Sequence, residues 1–157
     1  MTNVERTIKQ ARHLCLKHGS TLTPKRQTLL QCLLHSKRAL SAYDIIDVYR
    51  QQFGQSIPAV SVYRMLNFFQ RIHVIHRIHS INKFILCSEI LNRDISSEGV
   101  IFLVCRTCHE VKEQHVSLAV IQSIKNEIQD ESFHLVCPQV ELECLCQKCR
   151  TRSPNNA

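Results

Sequence analysis

Apolar residues recur at helical spacing through the first half of the chain, then give way to short strand-like runs. Val4, Ile8, Ala11, Cys15 and Leu16, with Leu14 flanking them, predict a first helix that stops near His18-Gly19. Thr23-Pro24 supplies an N-cap and a first-position proline for a second helix, which carries Leu29, Leu30, Cys32, Leu33 and Leu34. Ser41-Ala42-Tyr43-Asp44 reads as a capping box with Asp in place of Glu, ahead of Ile45, Ile46, Val48 and Tyr49. Gly54 closes that third helix. Pro58 opens a fourth, with Val62, Met65, Leu66 and Phe69 on its inner face.

The period then changes. Val74, Ile78 and Phe84-Ile85-Leu86 form two β-rich runs around Ser80-Ile81-Asn82, the pattern of a hairpin. Several helices followed by a small hairpin outline a winged helix-turn-helix, although the helices alone could make a simple bundle. Residues 88–99 are polar and read as a hinge. Beyond it the pattern predicts a strand at Val100–Val104, a short strand near Glu110–Glu113, a helix from about Val116 to Gln129, and a strand-like stretch from Phe133 to Leu142. The polar tail at 151–157 is expected to fray.

Charge divides the chain at the same place. Residues 1–80 hold 12 Lys/Arg against 3 Asp/Glu, or 12 − 3 = +9, whereas residues 81–157 hold 8 against 10, or 8 − 10 = −2. This asymmetry suggests a polyanion-binding first half joined to a second half with another task. The opening MTNVERTIKQ has no apolar signal core, and no run is long enough to span a membrane, so a cytoplasmic protein without membrane association is expected. Nine cysteines in that setting point to reduced thiols and metal binding ahead of disulfides. There is no GxGxxG or GxxxxGK[ST] to cradle a nucleotide, and no small-molecule substrate is expected.

Two CxxC pairs, Cys105/Cys108 and Cys146/Cys149, flank the predicted helix of the second half. Each presents two thiolates from one tight turn, and together they supply the four soft ligands of a closed tetrahedral zinc site. A redox CxxC would need only one pair, and four unrelated reduced cysteines are the plainer alternative. Cys144 forms a Cys-x-Cys with Cys146 and could compete as a ligand. Cys15, Cys32 and Cys137 sit among apolar residues and read as small core side chains.

Leu22-Thr23-Pro24-Lys25-Arg26-Gln27, Ser41-Ala42-Tyr43-Asp44-Ile45, Ser61-Val62-Tyr63-Arg64-Met65-Leu66 and the two CxxC pairs together resemble the ferric uptake regulator superfamily, over residues 5–150. Within it the chain is most similar to the zinc uptake regulators. The resemblance implies an α+β protein: an N-terminal winged helix-turn-helix (1–87), a hinge (88–99) and a small α/β dimerisation domain with a four-cysteine zinc site (100–150). It implies a homodimer that binds double-stranded operator DNA, with one structural and one regulatory Zn2+ per subunit. Iron and peroxide sensors of the superfamily carry a histidine-rich segment before the first CxxC, but here that place reads Ser96-Ser97-Glu98-Gly99-Val100-Ile101. The zinc sensors build a regulatory site from a wing histidine, a cysteine ending the wing, a hinge histidine and a later glutamate. His76, Cys87 and Glu113 match three of these positions, and Glu98 stands at the fourth, with His79 or Glu89 as alternatives.

A thiolate, an imidazole and carboxylates form an acceptable tetrahedral zinc set, and thiolate favours zinc over manganese. On the DNA side, Tyr63 and Arg64 fall in the first turns of the expected recognition helix, where arginine can bond bidentately to guanine. Lys25, Arg26 and Tyr43 lie near helix starts, where phosphate contacts are common. The function expected is a zinc-responsive repressor of zinc-uptake genes. An iron, manganese or peroxide sensor of the same superfamily is the alternative. A small zinc enzyme is disfavoured by the absence of HExxH or HxE…PCxxC, so no enzymatic activity is expected.

Overall fold

The computed structural model describes residues 2–36, 38–91, 98–128, 132–133 and 139–152, without the Glu98 side chain. Its contacts divide the chain into two units, Met1–Arg93 and Asp94–Ala157.

The first unit begins with four helices, α1 (Asn3–Lys17), α2 (Pro24–Ser36), α3 (Ala42–Phe53) and α4 (Ala59–Arg71). Thr2 and Glu5 close a capping box on α1, and Ser41 and Asp44 do the same for α3. Gly54 ends α3 in the left-handed conformation that an L side chain resists. A two-stranded wing follows, with β1 (Ile75–Ile78) antiparallel to β2 (Lys83–Leu86) and Ile75 opposite Leu86. Leu40 and Phe84 exchange backbone hydrogen bonds of 3.0 and 2.7 Å, so the link between α2 and α3 lies along the wing.

One core serves all of these elements. Leu14, Leu29, Leu30, Ile45, Tyr49, Leu66, Phe69, Ile75 and Phe84 are buried together in it. Cys15 and Cys32 lie in the same core, and burial raises both thiols, Cys32 to about 11, as suits inert packing groups. Leu16 departs from the expected pattern. It is 61% exposed, whereas Leu14, two positions earlier, is 2% exposed and fills the core. The α1 stripe therefore runs Ile8–Ala11–Leu14–Cys15. The first residues of the expected hinge are also ordered, as a 3-10 turn at Ser88–Leu91 that buries Ile90 and packs against α1.

The second unit is a three-stranded sheet with one helix on it. Strand β3 (Glu98–Cys105) is central, antiparallel to β4 (Val111–Ser117) and parallel to β5 (Val140–Cys144). Helix α5 (Leu118–Glu127) packs on β3 and β4, and a short α6 (Gln147–Arg152) ends the described chain. Strand β4 extends through Val116, where the sequence pattern places a helix start, because Ser117 is the N-cap of α5. Thr151 and Arg152 continue α6, and the remainder of the expected tail, like Cys137, lies outside the described residues. Among the described residues no helix is long and apolar enough to cross a membrane.

Gly99 shows how closely helix and sheet approach in this unit. A Cβ built there falls inside the van der Waals radius of Ile121 Cγ1 on α5. Gly99→Ala is therefore expected to cost about 1–3 kcal/mol through overpacking. Chemical denaturation of Gly99→Ala, Ile121→Ala and the double variant checks this, because removing the Ile121 side chain should recover most of the alanine penalty. Additive losses would mean that the two positions do not press on one another.

Candidate nucleic-acid interface and metal centre

Helix α4 follows Pro58 and buries Val62, Met65, Leu66, Phe68 and Phe69, which fixes its opposite face outward. Arg64 is exposed, and Tyr63 is half-buried against the core edge. Lys25 is exposed in the first turn of α2, and Tyr43, in the first turn of α3, is 67% exposed. The helix starts differ in charge. Glu5 and Asp44 cap α1 and α3, but α2 and α4 have no acid in the first turn. Carboxylates are thus withheld from the two helices that carry Lys25 and Arg64, leaving their positive ends uncompensated.

Arg26 is half-buried and anchored to its neighbours. Its guanidinium donates to Ser20 Oγ at 2.8 Å and to the Thr21 carbonyl at 2.7 Å, and lies 3.7 Å from the Phe68 ring centroid. A charge-assisted and cation–π anchor of this kind fixes the turn before α2 against α4. Arg26 and Lys25 both lie near the start of α2. Only the fold brings Phe68, 42 positions away (68 − 26), to the Arg26 side chain.

In the second unit the strands bring the two CxxC turns together. Parallel pairing sets Cys105 beside Cys144, and the Arg106 N–H donates to the Cys144 carbonyl at 3.0 Å. The first turn closes through the His109 N–H to the Cys105 carbonyl, 2.9 Å, with His109 at φ 59°. The ligand atoms of Cys105, Cys108, Cys146 and Cys149 all lie within 4.8 Å of one another, and Cys108 and Cys146 Sγ are 3.6 Å apart. Tetrahedral zinc with bonds near 2.3 Å requires sulfurs about 3.8 Å apart, so the set fits the ion. Cys144 is not in this cluster, and its thiol donates to the Leu142 carbonyl.

The four sulfurs differ in how readily they ionise. Cys105 is lowered to about 6, first by the Cys108 backbone N–H, then by that of Cys146. Cys149 is pushed up to about 12, first by its bond with the Cys146 thiol and then by burial. One thiolate forms on backbone donors alone, but four cannot share so small a volume without positive charge. A divalent metal deprotonates its thiol ligands outright.

In the wing, β1 carries His76 opposite Ile85, and Cys87 follows β2 with its N–H donating to the Val74 carbonyl at 3.0 Å. The His76 ring and the buried Cys87 sulfur present ligand atoms within 4.8 Å of one another. In the other unit Glu113 is half-buried on β4, its carboxylate 3.9 Å from His115 Nε2. The Glu98 backbone pairs with Ser117 at the start of β3, and its side chain lies outside the described residues.

Comparison with known proteins agrees with this geometry. The ferric uptake regulator family matches residues 17–143. The zinc uptake regulation proteins of Escherichia coli (strain K12) and Shigella flexneri are each 30% identical over 113 residues. That stretch is 72% of this chain but spans only 64% of the length of those relatives. A solved zinc uptake regulator complexed with zinc and DNA is 25% identical, with a TM-score of 0.78 over 98% of this chain and 99% of that one. The Helicobacter pylori ferric uptake regulator, 17% identical with a TM-score of 0.58 over 95% of each chain, shares the fold. With its winged first unit, its four-cysteine second unit and these matches, the chain belongs to the ferric uptake regulator family, whose members are transcriptional regulators and not enzymes.

Proposed function

We propose that the chain is a zinc-responsive transcriptional repressor that, when loaded with zinc, binds operators of zinc-uptake genes as a dimer. The observation that carries this reading is the His76 ring beside the Cys87 sulfur in the wing of a DNA-reading unit. A thiolate next to an imidazole suits zinc better than the oxygen-preferring metals. The similarity to a zinc uptake regulator solved with zinc and DNA supports the same choice.

In this reading each subunit takes two zinc ions, one for each ligand set. Cys105, Cys108, Cys146 and Cys149 hold the structural ion, which supplies folding energy to a small unit. His76, Cys87 and Glu113 hold the regulatory ion, and Glu98 completes it where relatives use a histidine. Zinc accepts carboxylate oxygen at nearly the same bond length as imidazole nitrogen, so this replacement is geometrically modest. With the ion bound, this set would restrain the wing. Metal shifts that equilibrium only by its preference for the restrained form, and a preference of roughly 300-fold corresponds to about 3.4 kcal/mol. Tyr63 and Arg64 then meet base edges, Lys25, Arg26 and Tyr43 meet phosphates, and Arg26 also holds the turn before α2.

Operator mobility shifts at defined free Zn(II), Fe(II) and Mn(II) test the reading. Wild type should bind at the lowest free zinc, and Cys87→Ser should lose the response while remaining dimeric. Equal or tighter response to Fe(II) or Mn(II) would assign the chain to another sensor class. Glu98→His should keep zinc-dependent binding, whereas Glu98→Ala should need more zinc. A wild-type response in Glu98→Ala, together with a weakened one in Glu89→Ala or His79→Ala, would move the fourth ligand.

Cys105→Ser should give a zinc-poor protein that is monomeric or aggregates, as read by metal analysis and light scattering. A stable dimer of unchanged zinc content would contradict the structural role. Arg64→Ala should cost about 1–3 kcal/mol and relax preference at one base per half-site. Lys25→Ala should weaken all sequences alike and reduce the salt slope by about one unit. Identical behaviour of the two variants would make Arg64 a phosphate contact.

A further inference from the structure

The outward face of α4 is longer than the Tyr63-Arg64 pair. At about 100° per residue, Val60, Arg64, Asn67 and Arg71 fall within about 60° of one another around the helix. All four are exposed, and Val60 is 63% exposed in the first turn. Arg64, Asn67 and Arg71 line one open concavity beside Phe68. The helix AVSVYRMLNFFQR contains no carboxylate. Tyr63 packs partly against the core, which leaves Val60 as the most exposed apolar side chain of the helix.

Each exposed residue type has a partner in the major groove of B-DNA. Aliphatic methyls meet the C5-methyl of thymine, Arg matches guanine O6 and N7, and Asn matches adenine N6 and N7. From Val60 to Arg71 the helix rises about 16 Å, close to five base steps along a strand. A protein partner that covered Val60 would also bury Arg64 and Arg71 without carboxylates from this helix, whereas DNA supplies the compensating charge.

We infer that Val60 and Asn67 are specificity-determining residues on either side of Arg64. Val60 reads a thymine methyl, Asn67 reads an adenine, and Arg71 secures the far end of the helix on phosphate. This rests on the proposed DNA-binding function and goes beyond it in assigning which bases flank the Arg64 contact.

The test starts from duplexes selected out of a random pool by zinc-loaded wild-type protein. Each thymine of the selected duplex is then replaced singly by deoxyuridine, which lacks only the methyl. One position per half-site should weaken wild type about fourfold, the effect of one buried methyl. Val60→Ser should bind the thymine and deoxyuridine duplexes equally at that position. Asn67→Ala should lose roughly tenfold in preference at one A·T pair while the guanine preference set by Arg64 stays. Both residues are exposed, and thermal melting confirms that each variant folds. The inference is overturned if Val60→Ser keeps the methyl dependence, or if Asn67→Ala selects the wild-type consensus. If wild type selects no consensus at all, the DNA-binding reading fails first and the inference falls with it.

Discussion

Four sulfur atoms drawn into one small volume are the constraint on which the C-terminal unit depends. Among its described residues the buried apolar side chains are few, chiefly Ile101, Phe102, Val104 and Ile121. So small a core leaves little margin against the entropy of ordering the chain, and a closed metal site is the usual supplement. The sheet prepares that site. Parallel pairing of β3 with β5 ends at Cys105 and Cys144, so both CxxC turns emerge at the same edge. Backbone N–H groups then stabilise the first thiolate, and a divalent cation bound there would deprotonate the others.

The N-terminal unit stands on different physics. Its core joins four helices and the wing, and it needs no metal to account for its packing. What its architecture provides is a rigid mount for α4. Phe68 and Phe69 anchor the helix inward, and Arg26 stacks on Phe68 while holding the turn before α2. The wing is tied to the α2–α3 link through Leu40 and Phe84, so a ligand set at His76 and Cys87 sits on a hairpin already coupled to that link. This is why a metal-binding event at the wing can be a regulatory event in the proposed function.

Much of this was legible because the signals are local. Ser41 with Asp44, Pro58 and Gly54 mark helix ends through contacts made within a few residues, and the structure uses each of them. The CxxC spacing dictates two-thiol turns whatever surrounds them. Long-range features were not legible. Leu16 fits the helical period as well as Leu14 does, and only the position of neighbouring helices decides which one is covered. Helix α6 has no apolar stripe in QKCRTR, with Cys149 its one buried residue, so periodicity gives no hint of it. The short order at Ser88–Leu91 depends on Ile90 finding α1, far away in sequence.

The central claim is that the four cysteines of the C-terminal unit hold one zinc as a closed all-sulfur site. X-ray absorption at the zinc edge tests it most directly, on purified Cys87→Ser so that the wing contributes no metal. The account predicts one zinc per chain with four sulfur neighbours at about 2.3 Å. Nitrogen or oxygen neighbours at about 2.0–2.1 Å in place of sulfur, or a folded protein that retains no zinc, would contradict it.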